Sequence, residues 1–228
     1  MRHELANLYL VRLYSRTIKS NRKRSFMQNT LYSIPGILVG LTVHECCHAL
    51  CAWKLGDSTA REQGRITLNP LKHIDIIGFI FIVIAGFGWA KPVQFNPERL
   101  RHFRRDKALI AAAGPLSNMA LGIIFILIVR ALFFFLNDVN DFTRTIIYIV
   151  YYAAAINFGL FVFNLLPIPP LDGSHIVFSG LNLSAETERQ IMKIGMPLLF
   201  IVLIVQNRMN VTIIPIGRIV GAIINFLL

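Results

Sequence analysis

Three stretches of the chain are each long and apolar enough to demand a bilayer. Residues 31–53, 108–136 and about 146–166 all reach the roughly 20 helical residues that cross the hydrocarbon layer. Inside that layer each backbone N–H and C=O must find its partner within the segment, so runs of this kind fold as helices. The rest of the chain cannot offset them. Only 15% of the 228 residues are charged against 55% hydrophobic, too little polar surface to solvate a sizeable soluble domain. The expected fold is therefore a membrane all-α one, a polytopic bundle of about five to six transmembrane or re-entrant segments. In this reading residues 1–26 form a basic surface segment and residues 27–228 a single transmembrane domain.

The segments between the clear spans are more varied. Residues 54–75 are mixed and polar, with Gly56, Gly64 and Asn69-Pro70 as turn signals and 65–68 as a short strand. Residues 76–90 are apolar but short. With Gly78, Gly86 and Gly88 they suit a re-entrant or tilted segment better than a comfortable span. Pro167, Pro169 and Pro170 stop the third span, and two weaker helices follow at about 188–206 and 211–227.

The formal net charge of +11 is unevenly placed. Arg2, Arg12, Arg16, Lys19, Arg22, Lys23 and Arg24 crowd the start, and Arg99, Arg101, Arg104, Arg105 and Lys107 form a second cluster. Beside apolar spans such clusters mark cytoplasmic segments and contacts with anionic lipid headgroups. No nucleic-acid motif accompanies the charge, so nucleic acid is not an expected partner. Both clusters lie on one side of the membrane only if 76–90 crosses fully; a re-entrant 76–90 separates them. Cys46, Cys47 and Cys51 fall in one apolar segment and read as no disulfide framework. The basic, interrupted N-terminus does not read as a cleavable signal peptide.

Chemistry enters with His44-Glu45-Cys46-Cys47-His48 in the second half of the first span. Histidines at i and i+4 project from one helix face and can bind one zinc ion together. Glu45 follows the first of them and can take a proton from water activated by the metal. Two histidines and a glutamate at bilayer depth cost several kcal/mol unless paired, hydrated or metal-bound. Hydrogen bonds between the rings and neighbouring carbonyls are the competing account. Catalytic zinc usually takes a third protein ligand and keeps one open position. Asp172 is the best candidate, because the prolines before it break the helix and irregular backbone at membrane depth lines a cavity. Asp172-Gly173 also reads as an ordinary turn, and His175 is the alternative ligand. Asn164 could donate a hydrogen bond to a developing oxyanion.

These residues support a resemblance to the site-2 protease family, in its short bacterial and archaeal form without appended PDZ or CBS domains. Five segments carry it in order: His44 to His48 with Ala49, Gly64 to Asp75, Gly88 to Val93, Ala113 to Asn118, and Asn164 to Gly173. The resemblance implies helices around a short membrane-associated β element and one zinc ion sunk below the cytoplasmic face. It implies an intramembrane zinc metalloprotease that cleaves peptide bonds in or beside substrate transmembrane helices. It makes Asp172 the third ligand to zinc beside His44 and His48, Glu45 catalytic, and Asn164 a residue beside the metal centre. Gly114, Pro115 and Asn118 then belong to a central span packed on the metal-bearing helix.

Two features depart from the pattern. The pair Cys46-Cys47 faces away from the histidines, whereas Cys51 lies one turn beyond His48, where a thiolate would close the open position. The basic N-terminal stretch is also longer than in short members of the family. Two other functions compete with the protease. A catalytically silent relative would bind membrane proteins without cutting them, and a metal transporter would need a second set of intramembrane ligands that the chain lacks. The expected address is a bacterial cytoplasmic membrane, crossed several times, with transmembrane proteins as substrates and lipids as neighbours.

Overall fold

A computed structural model describes residues 22–85, 88–136, 140–181, 183–209 and 212–228, and most of the basic segment 1–26 lies outside that range. Among the described residues three helices are long and apolar enough to cross a membrane: α1 (Arg22–Lys54), of which Gln28–Lys54 is the candidate span, α4 (Phe103–Phe135) and α5 (Asp141–Asn164). Between them lie α2 (Thr59–Glu62) and α3 (Ile76–Ala85), and after them α6 (Asp172–Leu181), α7 (Ala185–Met209) and α8 (Ile216–Leu227). The expected spans at 31–53, 108–136 and 146–166 fall on α1, α4 and α5, and the two weaker helices fall on α7 and α8. The chain is an integral membrane protein built as an all-α bundle.

The centre of the bundle is the mutual packing of α1, α4 and α5, with α6 lying against α4 and α8 against α5. Lipid tails are as apolar as leucine, so close backbone approach rather than hydrophobic exclusion holds such helices together. Small residues mark the crossings. A methyl on Gly36 would collide with the Ala153 backbone, and one on Gly40 would press on the Asn157 amide, both across the α1–α5 contact. Ile126, Val129, Tyr151, Ala154, Phe158, Val220 and Ile224 form an apolar core shared by α4, α5 and α8. Arg130, exposed near the far end of α4, donates to the Leu227 carbonyl at 3.1 Å and so caps α8.

The stretch around α3 doubles back. Ile74 and Ala90 form an antiparallel bridge, and the Lys91 N–H donates to the His73 carbonyl at 2.7 Å. Gly78 lies directly on the Trp89 carbonyl, where no side chain fits. The ten residues of α3 rise only about 15 Å, half the hydrocarbon thickness. The residues on either side of α3 are thus held side by side.

The expected strand at 65–68 does not form, and that bridge is the sole β pairing among the described residues. Side chains and turns take the backbone groups a ladder would need. The Arg65 N–H closes the turn after α2 onto the Ala60 carbonyl, and the His73 ring bonds the Thr67 carbonyl at 2.8 Å. Asn69 then caps the short 3-10 turn Pro70–Lys72 through the Leu71 N–H. Gly64, at φ +67°, supplies the left-handed step that ends α2.

Candidate metal centre

The i, i+4 spacing places the His44 and His48 rings on one face of α1, edge to face with centroids 4.5 Å apart. Both are buried, as is Glu45 between them. The face is covered by α4 at Gly114, where an added methyl would stand 2.6 Å from His44 Nε2 and closer still to His48 Nε2. A glycine is what lets α4 ride over two imidazoles at this distance.

The third group arrives from the other end of the chain. After α5 the run Pro167 to Leu171 turns the backbone, with the Leu171 N–H bonded to the Ile168 carbonyl at 2.9 Å. Asp172 then opens α6. Gly173 packs so tightly on the Leu165 and Leu166 carbonyls that no side chain fits there, which brings the first turn of α6 against the end of α5. Asp172 Oδ2 consequently stands 3.2 Å from His44 Nε2 and 3.4 Å from His48 Nε2. The two ring nitrogens are 2.9 Å apart.

The outer edges of the rings decide what this cluster needs. His44 Nδ1 donates to Asn118 Oδ1 at 2.6 Å, and His48 Nδ1 donates to the Ile110 carbonyl at 2.7 Å. With those protons committed, neutral rings turn bare Nε2 lone pairs toward each other and toward a carboxylate oxygen that makes no hydrogen bond. Three lone pairs converging in a buried site repel unless a cation lies between them. Donors about 2.0 Å from a shared zinc stand roughly 3.3 Å apart at tetrahedral angles, close to the separations found. His44, His48 and Asp172 are thus a set able to hold one metal ion, and among the described residues no other such group occurs.

Neither alternative ligand joins the set. Cys51, a free thiol, packs with Leu55 and Phe95 on the apolar cluster of Ala52, Leu100 and Ile110. His175 lies one turn along α6 from Asp172. Burial, with the Lys107 charge acting in the same sense, lowers its pKa.

Glu45 points to a different wall. Its Oε2 accepts from the Val93 N–H at 3.0 Å and lies 4.0 Å from the Arg65 guanidinium. Arg65 is itself buried and donates to the Lys91 and Pro92 carbonyls, so it clamps the 91–93 strip that holds Glu45. Asn164 uses its Nδ2 on the Leu160 carbonyl of its own helix, at 3.0 Å. Donation to a substrate oxygen would require that bond to yield.

The sequence gives no part to Asn157 or Arg65 beside the site, and places Asn118 only on a span packed against the metal-bearing helix. Asn157 is fully buried and accepts from Asn118 Nδ2 at 3.0 Å. The signal was present: an amide inside the apolar run 146–166 raises the same question as a histidine does, since polar groups at that depth need partners. Arg65 gave no such signal, because a basic residue beside a turn is the ordinary composition of a polar loop.

Comparison with known proteins meets this geometry. The profile of peptidase family M50 matches residues 134–204, which include Asn164 and Asp172. YwhC of Bacillus subtilis, an assigned zinc metalloprotease, is 42% identical over 64% of this chain and 67% of its own length. Rip2 of Mycolicibacterium smegmatis, assigned likewise, is 30% identical over 74% of this chain and 63% of its own. An assigned zinc metalloprotease of Methanocaldococcus jannaschii is 29% identical over 64% of this chain and 69% of its own. The chain thus spans about two thirds of the length of these relatives. No solved structure matches it.

Proposed function

The chain belongs to peptidase family M50, the site-2 protease family, and from that membership we propose that it is an intramembrane zinc metalloendopeptidase. It hydrolyses peptide bonds within or next to transmembrane segments of other membrane proteins. The observation that carries this reading is the convergence of His44 Nε2, His48 Nε2 and Asp172 Oδ2 inside a bundle of membrane-length helices.

In this reading His44, His48 and Asp172 hold one zinc ion, which supplies Lewis acidity and renders a nearby water acidic enough to react at neutral pH. Glu45 is the base: it takes a proton from the attacking water and returns it to the departing amine as the C–N bond breaks. Arg65 and the Val93 N–H hold its carboxylate in place. Asn164 donates to the carbonyl oxygen as that oxygen gains negative charge. The substrate helix unwinds locally first, because a helical carbonyl is already bonded to an N–H four residues on.

The membrane arrangement completes the proposal. Residues 27–228 act as one transmembrane domain, and 76–90 dips into the bilayer and returns. Transmembrane proteins are the substrates, and lipid headgroups meet the basic loops. A bacterial cytoplasmic membrane is the address that the basic segments and the bacterial relatives support.

The test is zinc content and cleavage in the purified full chain. Wild type should carry near-stoichiometric zinc, His44→Ala and Asp172→Ala should lose it, and Glu45→Gln should keep it while cleavage falls by about 10²–10⁴ or more. Undiminished cleavage by Glu45→Gln would remove Glu45 as the base, whereas a zinc-free or inactive wild type that still binds membrane proteins would leave the binding reading in front.

A further inference from the structure

We propose that Asn118 and Asn157 are positioning residues for the metal. Together they form a relay of buried amides that locks the His44 ring with its proton on Nδ1 and its Nε2 free for the ion. The inference rests on reading His44, His48 and Asp172 as metal ligands.

An asparagine side chain has one end that accepts and one that donates, and the two are nearly alike in shape. Were Asn118 reversed, its NH₂ would face His44 Nδ1. The ring would then carry its proton on Nε2, aimed at His48 Nε2 and Asp172, where it would compete with a metal. Reversal is blocked at two levels. Asn118 Nδ2 donates to the Gly40 carbonyl at 3.1 Å and to Asn157 Oδ1 at 3.0 Å. Asn157 is held in turn, its Nδ2 donating to the Ala153 carbonyl at 2.8 Å and the Gly36 carbonyl at 3.4 Å. Backbone carbonyls can only accept. Those of Gly36, Gly40 and Ala153 therefore fix the direction of every bond in the relay, and its last member is a ligand ring.

Both amides are 0% exposed, so bulk water cannot replace either one. His48 reaches the same tautomer by a shorter route, through the Ile110 carbonyl of α4. His44, one turn further from the Lys54 end of α1, meets α4 at residue 118, where a side-chain amide supplies the acceptor. Outer-shell partners of ligating histidines typically govern 10–100-fold in metal affinity.

The experiment measures Zn²⁺ affinity of the purified full chain in lipid nanodiscs, by competition with a chelating dye. Folding of each metal-free variant is followed by helical circular dichroism and thermal midpoint. Asn118→Leu should weaken zinc about 10–100-fold and Asn157→Ala about 10-fold. Asn118→Asp keeps an acceptor oxygen for His44 while losing both donors, and should bind within a few-fold of wild type. A merely structural role predicts the reverse order, because aspartate sets a carboxylate against the Gly40 carbonyl and Asn157 Oδ1. Wild-type affinity in folded Asn118→Leu and Asn157→Ala overturns the relay alone. Asn157→Ala decides by itself if Asn118→Leu does not fold, since its smaller side chain fits the same space. A wild type that binds no zinc overturns the metal reading instead, and the relay with it.

Discussion

Gly114→Ala places a methyl group where the metal reading puts the ion. The added carbon would stand 2.6 Å from His44 Nε2 and His44 Cε1, and closer to His48 Nε2. Ordinary contact needs about 3.5 Å, so both rings must retreat by close to an ångström. They have little freedom to do so, because Nδ1 of each is bonded on its far side, to Asn118 and to the Ile110 carbonyl. Zinc–nitrogen bonds of about 2.0–2.1 Å tolerate deviations of only about 0.2 Å. We expect zinc content to fall from near one per chain to a small fraction, and cleavage of a transmembrane reporter with it. Folding should suffer far less. Alanine gains about 0.8–1.0 kcal/mol of helix propensity over glycine, which offsets part of an overpacking cost of roughly 1–3 kcal/mol. The assay is elemental zinc per mole of purified protein, beside the thermal midpoint of metal-free samples. Stoichiometric zinc in folded Gly114→Ala would refute the placement of the ion between the two rings.

Further expectations concern the other residues of the site and the course of the chain. Asn164→Ala should keep its zinc and lose about 10²–10³ in kcat with little change in KM, and unchanged kcat would remove Asn164 from the oxyanion role. His175→Ala should bind zinc as wild type does; zinc lost there, and kept in Asp172→Ala, would exchange the two as third ligand. Single cysteines at Asp75 and Lys91, in a background with Cys46, Cys47 and Cys51 replaced, should be labelled by a membrane-impermeant thiol reagent from one and the same side. Labelling from opposite sides would contradict the return of the chain between Ile74 and Ala90.

Much of this molecule could be read before any coordinates. The spans were legible because hydrocarbon leaves the backbone one solution, and the histidine pair because helical spacing places i and i+4 on one face. Asp172 was legible as a candidate through the proline break before it and through the family resemblance. Its approach to within 3.4 Å of both rings depends on how α5 and α6 meet at Gly173, which no local pattern records. The strand at 65–68 failed for a related reason. Its β-branched and apolar residues suit a strand, but the Ala60 carbonyl takes the Arg65 N–H and the His73 ring takes the Thr67 carbonyl, pairings that strand propensity does not record. The segment at 76–90 admitted two courses by length and glycine content. Its closing bridge joins Ile74, just before it, to Ala90, its last residue, a pairing that composition does not carry.

The Val93 contact divides the two oxygens of Glu45 into unequal partners. One is occupied by a backbone N–H at 3.0 Å, and turning the carboxylate over would forfeit that bond. With Glu45 as base, the proton is therefore gathered and delivered by the same atom, Oε1, without rotation in between. Both the incoming water and the outgoing nitrogen must then come within about 3 Å of a single point. In the proposed mechanism that requirement selects for chain direction. A peptide threaded with its N- and C-terminal sides exchanged would present its nitrogen away from Oε1, and its bond would stay intact however well it bound.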